Sequence, residues 1–169
     1  MTYTATSTFT YTHTHTATHL ADVILGSIAD ILGTLGLDPT SLFADWATDQ
    51  VAIANWIAEG SLSCVALECH RPNGCVDPIF EFPVSYVGSG EGDRKFTADR
   101  AALARYLAKL QRVPQSTTYR LFCSFRRAAS HQDGWSSGTR ASTTGMQLHS
   151  FGTLATGPHG RAGLRYFRG

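Results

Sequence analysis

Charge is scarce in this 169-residue chain. Only 16% of its residues are Asp, Glu, Lys or Arg, against about 25% in an average globular domain. No Lys or Arg precedes Arg71, and after residue 100 the only acid is Asp133. With acids nearly absent from the second half, paired-carboxylate chemistry has too few groups to work with. No run approaches the ~20 continuous apolar residues of a membrane helix, and no cationic stretch precedes an apolar one at the N-terminus. These absences predict a cytoplasmic protein without a membrane partner, whose four cysteines, Cys64, Cys69, Cys75 and Cys123, are reduced thiols. There is no GxSxG elbow. The glycine-rich GSGEGDRK (88–95) lacks the spacing of a phosphate loop. The expectation is a protein that is not an enzyme, with no cofactor and no metal.

What charge there is divides by position. Residues 1–70 hold seven acids and no base, and residues 101–169 hold ten bases and one acid, for a net charge of +1. A basic half can attract nucleic acid or an acidic protein. Equally, the two halves can pack together and neutralise each other.

Threonine occupies every even position from 2 to 18. This alternation with aromatic and small residues predicts an extended strand over residues 2–10. Then the period changes to three-to-four with Leu20, Val23, Ile24, Ile28, Ile31, Leu32 and Leu35. That spacing predicts a core helix, capped by Thr10 or Thr12 and ended at Gly36. Asp38 or Thr40 caps a second helix whose buried face is Leu42, Phe43, Trp46, Ile53, Trp56 and Ile57. Residues 62–69 and 78–87 read as a hairpin around Asn73-Gly74, with Pro83 suggesting an edge strand. Thr97 caps a third helix with Leu103, Tyr106, Leu107 and Leu110, and Pro114 terminates it. Residues 117–128 read as a long central strand. Residues 130–169 contain eight glycines and only spaced apolar residues, too long and irregular for an ordinary loop. The order argues an α+β domain with helices on one face of a mainly antiparallel sheet.

Several clusters carry alternative chemistries. His13, His15 and His19 have partial metal-ligand spacing, although partial exposure at a helix start accounts for them. Cys69, His70 and Cys75, with Cys123 at a distance, lack the tight spacing of a zinc site. Arg120, Arg126 and Arg127 interleave with Phe122 and Phe125, a pattern that can stack single-stranded bases or simply snorkel on an outer sheet face.

FTYTHTHTATHLADVILGSIADILGTLGL (9–37), followed by the helix LFADWATDQVAIANWIAEG, resembles the start of a HORMA domain. The look of these residues is similar to the bacterial HORMA proteins encoded beside cyclic-oligonucleotide synthases in antiphage (CBASS) defence operons. The resemblance implies one domain over residues 1–169: an arm (1–11), a core of three helices on a sheet (12–129), and a mobile safety belt (130–169). The belt, from about Ser136, wraps a closure-motif peptide that adds as a strand to the sheet edge. On this view Leu148, Phe151, Leu154, Leu164, Tyr166 and Phe167 anchor the peptide from the belt, and Tyr119, Leu121 and Phe125 contact it from the sheet. The peptide would belong to another protein, such as a second HORMA protein. The closed form would engage a cyclic-oligonucleotide synthase. An AAA+ ATPase would reopen it by pulling on the arm, where Thr2, Tyr3, Thr4 and Phe9 lie. Competing readings are a single-stranded nucleic-acid binder using the basic half, and a phage or particle structural protein using the threonine arm for assembly.

Overall fold

The structure, a computed structural model, describes residues 4–87 and 96–169, with side chains in the first helix from residue 13 onward. The glycine-rich stretch 88–95, Thr2 and Tyr3 lie outside the described residues. Helix α1 (Thr4–Leu35) leads into α2 (Thr40–Ala44) and α3 (Trp46–Ala58). Then come β1 (Leu62–His70), β2 (Val76–Tyr86), β3 (Thr97–Ala98), α4 (Arg100–Leu107), β4 (Thr118–Phe125), β5 (Gln147–Gly157) and β6 (Gly160–Arg168). The six strands pair antiparallel in the order β3-β5-β6-β2-β1-β4.

The apolar stripe makes α1 the centre of the core. Leu20, Ile24, Leu25, Ile28, Ile31 and Leu32 are wholly buried, against α3 and the sheet residues Val65, Leu67, Phe80, Phe82 and Leu164. Residues His13–Leu35 are long and apolar enough to cross a bilayer, but here they form the buried helix of the domain. Gly36 ends α1 with φ of 80°, a left-handed turn in which Leu37 N–H donates to the Leu32 carbonyl at 2.9 Å. Glycine adopts that turn without a Cβ penalty.

Five local expectations change. The threonine alternation is helical from Thr4, so Thr4–Thr10 form no strand and Thr10 and Thr12 lie inside α1 rather than capping it. Extending a helix already fixed by packing is much easier than nucleating one, and no glycine or proline interrupts residues 2–25. The second helix is divided at Asp45, whose ψ of 3° ends the α2 geometry; Pro39 holds the N-cap position, and Asp38 just before it accepts from Thr40 N–H at 3.0 Å. Asp99, not Thr97, caps α4, accepting from Ala102 N–H at 2.9 Å, and α4 ends at Leu107, well before Pro114. Pro83 sits on the interior strand β2. Its β6 side carries no paired residue at Phe82 or Pro83, between Glu81↔Arg165 and Val84↔Ala162, so the missing N–H of proline breaks no pair there. Finally, β4 is an edge strand rather than a central one.

The last forty residues are only half irregular. Residues 126–146 cross the molecule without helix or strand, and β5–β6 then form a hairpin whose Leu154, Ala155, Ala162, Leu164 and Tyr166 are buried. Because Ile28 has no exposed surface, Ile28→Ala should lower stability by about 2–5 kcal/mol, measured by urea denaturation. A loss under about 1 kcal/mol would remove α1 from the centre of the core.

Candidate functional site

The edge position of β4 is at odds with its composition. It pairs on one side only, with β1, from Leu62↔Phe125 to His70↔Thr118, yet it carries apolar side chains on both faces. Tyr119, Leu121 and Cys123 pack toward the helices. Phe122, on the other face, lies under Gly138, where an added Cβ would come within 3.2 Å of its ring.

What covers this edge is the segment after β4, which arches around it. Its near end is tied to the end of α3. Arg126 donates from its backbone N–H to the Ser61 carbonyl at 2.9 Å and from Nε to the Gly60 carbonyl at 2.6 Å. Arg127 donates to the Glu59 carbonyl. Ser130 N–H donates to Glu59 Oε1 at 2.9 Å, and the Trp56 indole donates to the Ser130 carbonyl at 2.8 Å. Trp135 then stands edge-on to Trp56, ring centroids 5.3 Å apart. Gly134, with φ of 83°, passes so close to Thr48 on α3 that a Cβ would lie 2.7 Å from Thr48 Cγ2.

The far end is clamped on the opposite face of the sheet. Arg140 Nη2 lies 2.7 Å from Glu81 Oε2, and Arg140 Nε lies 3.7 Å from Glu68 Oε2. Ala141 N–H donates to Glu68 Oε2 at 2.8 Å. Arg165 Nε on β6 donates to Glu81 Oε1 at 2.8 Å. Glu68 and Glu81 are buried. Burial alone would raise the Glu81 pKa, but the Arg140 and Arg165 guanidiniums outweigh it and hold this carboxyl below its usual range.

Between the arch and the free edge of β4 lies a cavity of 1080 Å³, at or above the ~300–1,000 Å³ of ordinary small-ligand pockets. β4 residues 119–125 form one wall, the α2–α3 residues Leu42, Asp45, Asp49 and Trp56 another, and the arch the third. At one end Tyr119 ties β4 to α2. Its hydroxyl donates to the Asp38 carbonyl at 3.1 Å, accepts from Leu42 N–H at 3.2 Å, and lies 2.7 Å from Ser41 Oγ. Two groups here are poorly satisfied. Burial, with the like charge of Asp45 adding to it, raises the Asp49 pKa to about 6. The Trp135 indole N–H is closed to solvent and has no acceptor.

Of the residues expected to hold a peptide, Tyr119, Leu121 and Phe125 line this cavity. Leu148, Phe151, Leu154, Leu164, Tyr166 and Phe167 do not. They lie on β5–β6, which β2 and β1 separate from β4. Leu154, Leu164 and Tyr166 fill the core there, and Phe151 packs edge-on to Tyr106 of α4 at 5.2 Å. Thr4 and Phe9 lie in the opening turns of α1 rather than on an extended arm. His13 meets the His159 ring at 5.1 Å, and His19 Nε2 is 2.8 Å from the Thr97 carbonyl oxygen. Cys69 is buried while Cys75 is exposed, and burial pushes the Cys69 thiol up to about 12. Arg126 stacks over Tyr86 at 4.5 Å. Asp49, Trp135 and Gly138 carried no periodic signal in the sequence, because the arch that gathers them has no repeating structure.

A profile of the family described as "Bacterial HORMA domain 2" matches residues 4–169. Among solved structures, a chain of the mitotic checkpoint complex superposes with a TM-score of 0.74 at 9% identity, covering 92% of this chain and 96% of that one. A chain of the E. coli MS115-1 CdnC:HORMA-deltaN complex gives 0.61 at 14%, covering 92% and 88%. C. elegans HTP-2 bound to the HIM-3 closure motif gives 0.59 at 14%, covering 76% and 69%. No curated protein matches, and the matches indicate no catalytic family.

Two substitutions test the electrostatics. Arg140→Ala leaves buried Glu68 without its arginine and Glu81 with Arg165 alone, and should cost about 3 kcal/mol near neutral pH. Because the folded Glu81 pKa is lowered, its contribution exists above the unfolded value and is lost as pH falls through the folded one. The gap between wild type and Arg140→Ala should therefore narrow from about pH 7 to about pH 3 in denaturant titrations. Asp49 has the opposite sign: its raised pKa favours the folded state only while it is protonated. Asp49→Asn should therefore stabilise the domain near neutral pH by roughly 1 kcal/mol, discounted for partial solvent screening. That gain should vanish below the ordinary carboxylate range.

Proposed function

The chain belongs to the Bacterial HORMA domain 2 family, and on that premise we propose that it is a peptide-capturing signalling domain. An extended peptide enters beneath residues 126–140 and pairs with the free edge of β4. The observation that supports this is the edge itself: one unpaired ladder, apolar on both faces, with a cavity held open alongside. An added strand would complete the ladder, since main-chain hydrogen bonds supply affinity and alternate side chains supply specificity.

In this reading the belt is the arch 126–146, and the β5–β6 hairpin is its far anchorage. The arch is fastened at Glu59–Ser61 on one side and at Glu68–Glu81 on the other. Admitting a peptide requires one fastening to release, and the Arg140 ion pairs are the natural latch. The occupied domain then binds and activates a cyclic-oligonucleotide synthase in antiphage defence, and an AAA+ ATPase reopens it, with the N-terminus as handle. The likeness to a chain of the CdnC:HORMA-deltaN complex supports the synthase as partner, and the likeness to a closure-motif complex supports the peptide. The cytoplasm is the proposed setting.

Removing residues 142–169 would delete two core strands, so truncation is not a clean test. Instead, peptides selected by display on the full chain should lose about 100-fold in affinity when N-methylated at the alternate residues that face β4, as expected for three lost hydrogen bonds of ~1 kcal/mol. Methylation of the other alternate set should change affinity little, read by fluorescence anisotropy. Equal tolerance of both sets would exclude strand addition. A selection that enriches no peptide would exclude capture altogether. Product formation by the cognate synthase, with and without the domain and its peptide, tests activation.

A further inference from the structure

The helix-side wall of the groove has a charge problem that none of the described residues resolves. Asp45 and Asp49 lie one turn apart on one face of α3 and its leading residue, a spacing at which like charges repel. Both line the cavity. Burial and then Asp45 are the causes acting on the Asp49 carboxyl, and no cation offsets them. The thiol of Cys123 on β4 is raised by burial, then by Cys64 and by Asp49, so the Asp49 charge is felt at this strand.

The arginines that border the cavity are engaged elsewhere. Arg140 holds Glu68 and Glu81, Arg127 is tied to the Glu59 carbonyl, and Arg120 lies on the other face of the sheet, in register with Glu68. His131 lies 3.9 Å from Asp133 in solvent. The acids are flanked by apolar surface from Leu42, Leu121 and Trp56. Two acids lining one cavity, with no described cation beside them, point to an occupant that supplies one.

We propose that the captured peptide carries a Lys or Arg side chain at one of its helix-facing positions, and that Asp49, assisted by Asp45, selects it. The stem of such a side chain covers Leu42 and Leu121, as long cationic side chains do on apolar surface, and the charged head meets the carboxylates. An acid that weakens the empty domain is thereby matched when the groove is filled, so Asp49 is a specificity-determining residue. This rests on the capture reading above.

The test is display of a randomised peptide library on the full chain and on three variants, Asp49→Asn, Asp49→Lys and Asp45→Asn. Thermal unfolding is followed in parallel to establish that each variant folds. Wild type should enrich sequences with Lys or Arg fixed at one position, and changing that residue to Gln should weaken binding about 10-fold or more. Asp49→Asn should abolish the Lys-over-Gln preference, Asp45→Asn should weaken it, and Asp49→Lys should replace the cation by Asp or Glu. A wild-type consensus with no cation overturns this inference and leaves peptide capture standing. So does an unchanged cation preference in both Asp49 variants. No enrichment by wild type overturns both.

Discussion

Two carboxylates on the outer face of a sheet, Glu68 on β1 and Glu81 on β2, are buried, and buried carboxylates need a cation beside them. Arg140 is that cation for both, with Arg165 assisting at Glu81. To deliver Arg140, the chain leaving β4 must turn around the edge of the sheet and cross its back. It arrives with residues to spare for a hairpin at the opposite side. The position of the hairpin, the edge status of β4 and the cavity alongside all follow from that crossing. The same ion pairs bring a base-rich second half onto an acid-rich first half, which is how a chain with so uneven a charge distribution folds onto itself.

The core is built separately from this device. α1 is buried by apolar packing against α3 and the sheet. A rigid helix-and-sheet body with an arch fastened by polar contacts is well arranged for a switch, because the arch can loosen without dissolving the core. Polar fastenings at Glu59 and at Glu68–Glu81 define the units that can open. Apolar residues of the β5–β6 hairpin fix the far end.

Much of the body was legible in the sequence. The spacing from Leu20 to Leu35 marked the core helix, Gly36 its end, and Asn73-Gly74 the hairpin, where Asn73 Oδ1 accepts from Cys75 N–H at 3.0 Å. Each of these signals is local, so one stretch of chain suffices to show it. The failures were non-local. The threonine run reads as a strand by propensity but is helical because α1 is already nucleated downstream. β4 reads as central because Phe122 and Leu121 are apolar on opposite faces, but its second face is covered by Gly138 rather than by a neighbouring layer. The groove is made by residues from α2, α3, β4 and the arch, far apart in sequence, and nothing in the periodicity of any one of them places Asp49 near Cys123. The spaced apolar residues of 148–167 read as peptide anchors, and Leu154, Leu164 and Tyr166 among them are buried in the core. Their spacing belongs to a hairpin core.

The central claim is that the free edge of β4 is where an extended peptide adds. Amide hydrogen exchange over residues 118–125, with and without a display-selected peptide, tests it most directly. The account predicts slowed exchange at alternate amides of β4 and across 126–140, with little change in β6. Unchanged exchange along β4, or protection confined to β5 and β6, would contradict it.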